Sequence, residues 1–219
     1  MKKPWSLTLL LLFTLSANAG AATISGKVDA AVKAEKTKPA ASYSRGAYVP
    51  AAQKSSSAVA RQSKIVVWAE PLEAKAPFVK LATVPQVIQQ DKTFFPHVLV
   101  VQTGTTVAFP NIDPLYHNVF SYSGTKRFDL GRYQKGKAKQ VTFDKPGLVE
   151  VFCEIHEDMH SYILVLDTPY FARTDKDGQY SLQAPVGPYR LLAWTPTNGK
   201  SQPLQVELTQ AGLRADLSF

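Results

Sequence analysis

The sequence is poor in sulfur and in imidazole. Its 219 residues hold one cysteine, two methionines (one of them Met1) and four histidines. A lone cysteine excludes an internal disulfide and any metal site built from several thiolates. Acidic residues are outnumbered, 17 against 25 lysines and arginines, which gives a formal charge of +8. Beyond residue 19 no run approaches the ~18 apolar residues needed to cross a bilayer, so no transmembrane segment is expected. No stretch of helical length keeps a 3.6-residue apolar period, which argues against a helical fold.

What is present at the N-terminus is an export pattern. Lys2 and Lys3 precede an apolar run from Leu7 to Leu15, and Ala17-Asn18-Ala19 supplies a small-x-small cleavage site. Cleavage is expected after Ala19, with Ala22 as the alternative. The expected location is the periplasm, with a Gram-positive surface left open. Loss of Lys2 and Lys3 takes the charge from +8 to +6. A basic exported chain argues against nucleic acid as a partner and suits anionic surfaces or acidic partners.

Residues 39–63, "PAASYSRGAYVPAAQKSSSAVARQS", contain no acid and are rich in Ala and Ser. They read as a flexible loop. Strand patterns surround them: "ISGKV" (24–28), "IVVWAEPL" (65–72), then "PHVLVVQ", "TTVAFP", "HNVFSYS", "KQVTF", "GLVEVFC", "SYILVLD", "GQYSLQ", "YRLLAW" and "QPLQVELT". These runs are β-branched or aromatic, often alternate, and are separated by Gly, Pro, Asp or Asn. The expected class is all-β, a sandwich or barrel. Two charged stretches read as solvated loops: 126–139 with six bases against Asp129, and 150–158 with four acids and no base.

The scarce residues are gathered in one place. "CEIHEDMH" (153–160) holds Cys153, His156, Met159 and His160. A strand delivers Cys153 at its end, and the loop after it can curl so that His156 and Met159 face the same point. Thiolate and imidazole together suit copper, zinc or iron, and a thioether adds a preference for copper. A His2Cys set with a weak axial Met needs one more histidine, and His117 in "NIDPLYHNVF" is the candidate. Asn118 beside it is expected to tie its loop to the Cys153 loop by a hydrogen bond. The bland alternative makes Cys153 and Met159 two apolar fillers. His97 reads as an ordinary strand histidine, and His160 as a solvent-facing loop residue with a minor option as a rival axial ligand.

"VFCEIHEDMH" and "DPLYHNVF" together resemble the cupredoxins, with the C-x2-H-x2-M spacing of the amicyanin type. "FFPHVLVVQTGTTVAFPNID" and "FDLGRYQKGKAKQVTFDKPGLVEVFCEIHEDM" extend the resemblance over about residues 83–168. The wider pattern is similar to exported plastocyanin-like proteins often labelled methylamine utilisation proteins. The resemblance implies a Greek-key β-sandwich and one mononuclear copper ion held by His117, Cys153, His156 and Met159. It also implies single-electron transfer with a redox partner such as a cytochrome or dehydrogenase. One departure is the absence of proline beside His156, where "EIHED" is acidic instead.

"RTDKDGQYSLQAPVGPYRLLAW" resembles a carboxypeptidase regulatory-like or transthyretin-like β-sandwich. Its first strands would be "ISGKV" and "IVVWAEPL". The expectation is one discontinuous small sandwich, 22–82 with 169–219, into which the cupredoxin stretch is inserted. Its rival is a C-terminal module of about 50 residues, marginal for independent folding. The functional alternative is a copper carrier or sensor without electron transfer. Such carriers tend to use several Met and His side chains, and this mature chain has one Met. An enzymatic role is not expected, because a nitrite-reductase-like second copper would have only His97 and His160 to use.

Overall fold

The computed structural model describes residues 20–30, 65–73 and 75–219. The export segment expected at 1–19 and the loop expected at 39–63 lie outside them. Every regular element among the described residues is a β-strand. The all-β expectation is met, and the strands pack as sheets face to face.

One group of strands surrounds the cysteine. β5 (Val98–Gln102), β11 (His160–Leu166), β10 (Gly147–Phe152), β7 (His117–Tyr122) and β8 (Arg127–Tyr133) form a five-stranded sheet in that order. β6 (Thr105–Pro110) pairs antiparallel with β9 (Ala138–Phe143). Val107, Phe109, Val141 and Phe143 from that pair meet Val119, Val149, Val151, Ile163 and Val165 from the sheet in one buried core. Alternation explains the arrangement, since every second side chain of a strand points to the same face. A hairpin of β3 (Ile88–Gln90) and β4 (Thr93–Phe95) joins this core through Phe94. Its turn places Asp91 and Lys92 at φ 51° and 53°. Both central residues with positive φ suit a two-residue hairpin turn, usually made with Asn-Gly. Lacking that signature, the hairpin was invisible in the sequence.

The stretch 126–139, read as a charged loop, is corrected. It contains β8 and opens β9. Phe128 and Leu130 pack on the core while Arg127, Asp129 and Gly131 are exposed. An edge strand whose outer positions are charged conceals its own alternation.

The second group joins distant parts of the chain. β1 (Ala21–Asp29) pairs antiparallel with β13 (Gln179–Pro185) and parallel with the short β17 (Leu213–Arg214) and β18 (Leu217–Ser218). β2 (Val66–Pro71) lies between β12 (Phe171–Arg173) and β14 (Gly187–Thr195). β14 in turn pairs with β15 (Gly199–Lys200) and β16 (Leu204–Leu208). Ile24, Val67, Leu182, Leu191 and Leu208 fill the core between these sheets. Gly26 is required there, because a Cβ at that position would lie 1.7 Å from the Ala215 carbonyl oxygen.

A third cluster seals the two groups together. Val66, Trp68, Leu192 and Trp194 pack with Val98, Val100, Leu164 and Leu166. β11 therefore buries both faces, which accounts for its unbroken apolar run "YILVL".

Candidate metal centre

β10 runs out at Phe152 and delivers Cys153 into a tight loop. The Met159 N–H donates to the His156 carbonyl at 3.0 Å, and the Cys153 N–H donates to the Met159 carbonyl at 3.3 Å. These bonds curl 153–159 back on itself. Across the sheet, His117 opens β7. Its Nδ1 stands 3.7 Å from Cys153 Sγ and 3.1 Å from His156 Nδ1, and Cys153 Sγ is 3.9 Å from His156 Nδ1. Three donor atoms from sequence-distant loops thus face one another.

The triangle is small enough to hold an ion. The three separations define a point about 2.1 Å from all three atoms, close to the ~2.0–2.3 Å bonds of a first-row ion to imidazole and thiolate. Without an ion, an N–H···N bond between the imidazoles accounts for their 3.1 Å approach. His117 is 0% exposed and Cys153 1%, so only His156, half-buried, opens the site to water. Met159, also 0% exposed, lies in the same core as Cys153.

The orientation of His117 comes from a residue that the sequence reading passed over. Asp113 Oδ2 lies 2.8 Å from His117 Nε2. The carboxylate also accepts the N–H of Asp91 at 2.6 Å and of Lys92 at 2.9 Å. Burial alone would raise the Asp113 pKa; the bonds from Lys92, His117 and Asp91 outweigh it and hold the group below the usual carboxylate range. An ionised carboxylate makes Nε2 the protonated nitrogen and leaves the Nδ1 lone pair aimed at Cys153 and His156. Asn111 carries the loop: it accepts the Asp113 N–H at 2.9 Å and donates to the carbonyls of Leu115 at 2.8 Å and Tyr133 at 3.0 Å. The Tyr133 hydroxyl donates to the Phe109 carbonyl at 2.8 Å and accepts from Gln89 at 2.7 Å, beneath the same loop. Burial raises the Tyr133 pKa and keeps it protonated. In the sequence, the signal for Asp113 was a carboxylate four positions before His117 inside a turn.

Asn118 does not supply the expected tie. It is buried, and its side-chain oxygen accepts no hydrogen bond among the described residues. His160 is not solvent-facing. As the first residue of β11 it points away from Met159, and its ring stacks on Phe152 with centroids 4.7 Å apart. Its Nε2 sits 3.3 Å from a Glu150 carboxylate oxygen without hydrogen-bond geometry. Burial, with His97 adding repulsion, pushes its pKa down to about 4 and keeps it neutral. His97 lies just before β5, its Nδ1 3.1 Å from the His160 carbonyl. Burial, helped by His117 and Lys92, also lowers the pKa of His156, which favours the neutral form that binds metals.

No family model matches the chain, and no curated protein does. Solved structures do. They include a purple cupredoxin, amicyanins and a copper-containing nitrite reductase. A purple cupredoxin from Nitrosopumilus maritimus is 22% identical over 37% of this chain and 98% of its own, with a TM-score of 0.34. A methionine-to-alanine mutant of amicyanin in the Cu(I) form is 21% identical over 47% of this chain and 98% of its own, TM-score 0.36. A copper-containing nitrite reductase from Thermus scotoductus SA-01 is 27% identical over 44% of this chain, TM-score 0.37. This chain spans 25% of that reductase.

Proposed function

We propose that this chain holds one copper ion between His117, Cys153, His156 and Met159 and passes single electrons between redox proteins. The observation that carries the reading is the triangle of Cys153 Sγ and two imidazole Nδ1 atoms, with edges of 3.1 to 3.9 Å. Copper supplies a one-electron couple there. Its affinity for thiolate, imidazole and thioether fits this donor set better than that of zinc. Cys153 would hold the ion through its thiolate, His117 and His156 through their Nδ1 atoms, and Met159 through its thioether. Asp113 fixes the tautomer and aim of His117.

His156 is the port for electrons. It is the one member of the triangle that reaches the surface. Ile155 beside it is exposed, as are Ile112, Leu115 and Tyr116 on the loop leading into His117. Glu154, Glu157 and Asp158 are exposed on the port loop and favour a basic docking partner such as a cytochrome. The reading is of a carrier rather than an enzyme; the remaining histidines, His97 and His160, are engaged on the other face of the sheet. The chain is exported to the periplasm, and residues about 22–82 with 169–219 form a small sandwich around an inserted cupredoxin of 83–168. The pairing of β1 with β13 and of β2 with β14 supports that division.

Protein-film voltammetry of the copper-loaded mature chain tests the function. The expected result is one reversible one-electron couple, with electron exchange to a basic cytochrome that slows as salt rises. Copper that binds but does not cycle reversibly would turn the reading into a carrier of the metal itself.

A further inference from the structure

A second surface, at the opposite end from the metal loops, has its own chemistry. Between β2 and β3 the described residues 72–73 and 75–85 belong to no strand, and Leu72, Phe78, Val79, Leu81 and Val84 are all exposed there, by 44 to 56%. Single exposed apolar residues are ordinary. Five large ones within one 13-residue strap are not scatter. Lys75 and Lys80, both exposed, are interleaved with them, and Glu73 is the single acid in 72–84. Apolar side chains flanked by lysines are the composition of an interfacial membrane contact.

The strap is held in place rather than loose. The Leu72 N–H donates to the Pro188 carbonyl at 3.1 Å, and the Ala108 N–H donates to the Pro85 carbonyl at 2.9 Å. Between these anchors Gln102 grips it twice, accepting the Val79 N–H at 2.9 Å and donating to the Pro77 carbonyl at 2.7 Å. Those bonds satisfy the backbone around Phe78 while leaving its ring 56% exposed. A tethered strap with its apolar side chains already turned outward loses little conformational freedom on docking.

Its place in the fold gives the surface a direction. β11 starts beside the metal loop at His160 and ends at Leu166, which pairs with Gln102. The Gln102 grip is therefore at the far end of the sheet. Lys145, exposed just before β10 begins, lies at that same end, because Gly147 pairs with Val165. Lys75, Lys80 and Lys145 share this pole with the apolar strap, and so do the acids Glu73, Asp144 and Asp167, of which Asp144 is paired with Lys126 and Asp167 accepts from the Thr103 hydroxyl.

We infer that the strap over residues 72–84 docks the protein onto an anionic lipid surface, leaving the His156 end facing away from the membrane. Charge complementarity selects the occupant: the strap carries Lys75 and Lys80 against Glu73, the chain without Lys2 and Lys3 carries +6, and a phospholipid surface with acidic headgroups offers both anions and an apolar layer. This inference does not depend on copper, and metal-free protein tests it.

The test is co-sedimentation of the mature chain with phosphatidylcholine vesicles, with and without one-third phosphatidylglycerol, together with light scattering of the protein alone. Binding is expected to the anionic vesicles only and to weaken with salt. Lys75→Gln and Lys80→Gln should each lower the partition coefficient about fivefold. Phe78→Ser with Leu81→Ser should abolish binding while leaving the circular dichroism spectrum unchanged, since both positions are exposed. Equal binding to neutral vesicles, equal binding by the variants, or no binding overturns the inference. So does a wild-type dimer that Phe78→Ser with Leu81→Ser converts to monomer, because the strap then belongs to a second copy.

Discussion

Replacing Asp113 by Asn removes one oxygen acceptor and the negative charge while keeping the shape. In the native chain the two carboxylate oxygens serve three donors: the Asp91 N–H, the Lys92 N–H and His117 Nε2, at 2.6, 2.9 and 2.8 Å. An amide has one oxygen and turns an NH2 toward at least one of those donors. The metal-free protein should lose about 1–3 kcal/mol, the cost of a buried donor left without its partner. His117 loses the group that keeps the proton on Nε2, so its Nδ1 is no longer reserved for the metal. Groups that orient a metal-bound imidazole typically change affinity 10–100-fold, or about 1.4–2.8 kcal/mol. Copper affinity by chelator competition is the assay. Asp144→Asn is the control: it makes the same chemical change at an exposed residue paired with Lys126. Nitrogen-15 NMR of the metal-free protein gives a second readout. The Nε2-protonated tautomer of His117 should dominate in the wild type and become mixed in the variant. Copper affinity within about threefold of wild type, with the tautomer unchanged, would refute the reasoning.

Three further predictions follow from other parts of the chain. Met159→Leu conserves volume at a position that is 0% exposed, so metal-free stability should change by less than about 1.5 kcal/mol. The copper spectrum and potential should nevertheless shift, and an unchanged pair would remove Met159 from the ligand set. His160, buried with a pKa of about 4 against 6.5 for the unfolded chain, makes stability depend on pH. The unfolded state takes up the proton first, so this stability is full above about pH 6.5 and is lost as pH falls toward 4, by at most about 3 kcal/mol. Denaturant melts of the metal-free protein across that window should show the slope, and His160→Gln should flatten it; equal slopes would contradict the account. Gly26→Ala drives a Cβ to 1.7 Å from the Ala215 carbonyl oxygen and 3.0 Å from the Tyr180 ring. It should cost about 3 kcal/mol in chemical denaturation, and a neutral result would mean that β1 and Ala215 can move apart cheaply.

The strands that were legible in the sequence are those whose alternation is clean or whose apolar run is unbroken. β6, β10, β11, β13 and β14 were visible because burial on one or both faces writes itself into residue type. β8 was not, because its exposed positions are Arg127, Asp129, Gly131 and Arg132, and charge on an edge strand looks like a loop. The convergence of Cys153 and His156 could be anticipated from their spacing in one loop. His117, expected as the histidine supplied by another loop, is brought to them by the pairing of β10 with β7 through Phe152 and Phe120. Asp113 was missed for a different reason. Its role depends on a backbone turn that carries it under His117, and the turn residues around it disguise a buried carboxylate as surface. Asn118 shows the opposite error: adjacency to His117 suggested a tie, but the alternation of β7 turns neighbouring side chains to opposite faces.

The most direct test of the central claim is the visible and electron paramagnetic resonance spectrum of the mature chain with one equivalent of Cu(II), taken beside Cys153→Ala. The account predicts an intense visible thiolate-to-copper band that the variant lacks. A weak spectrum that survives the loss of Cys153 would contradict it.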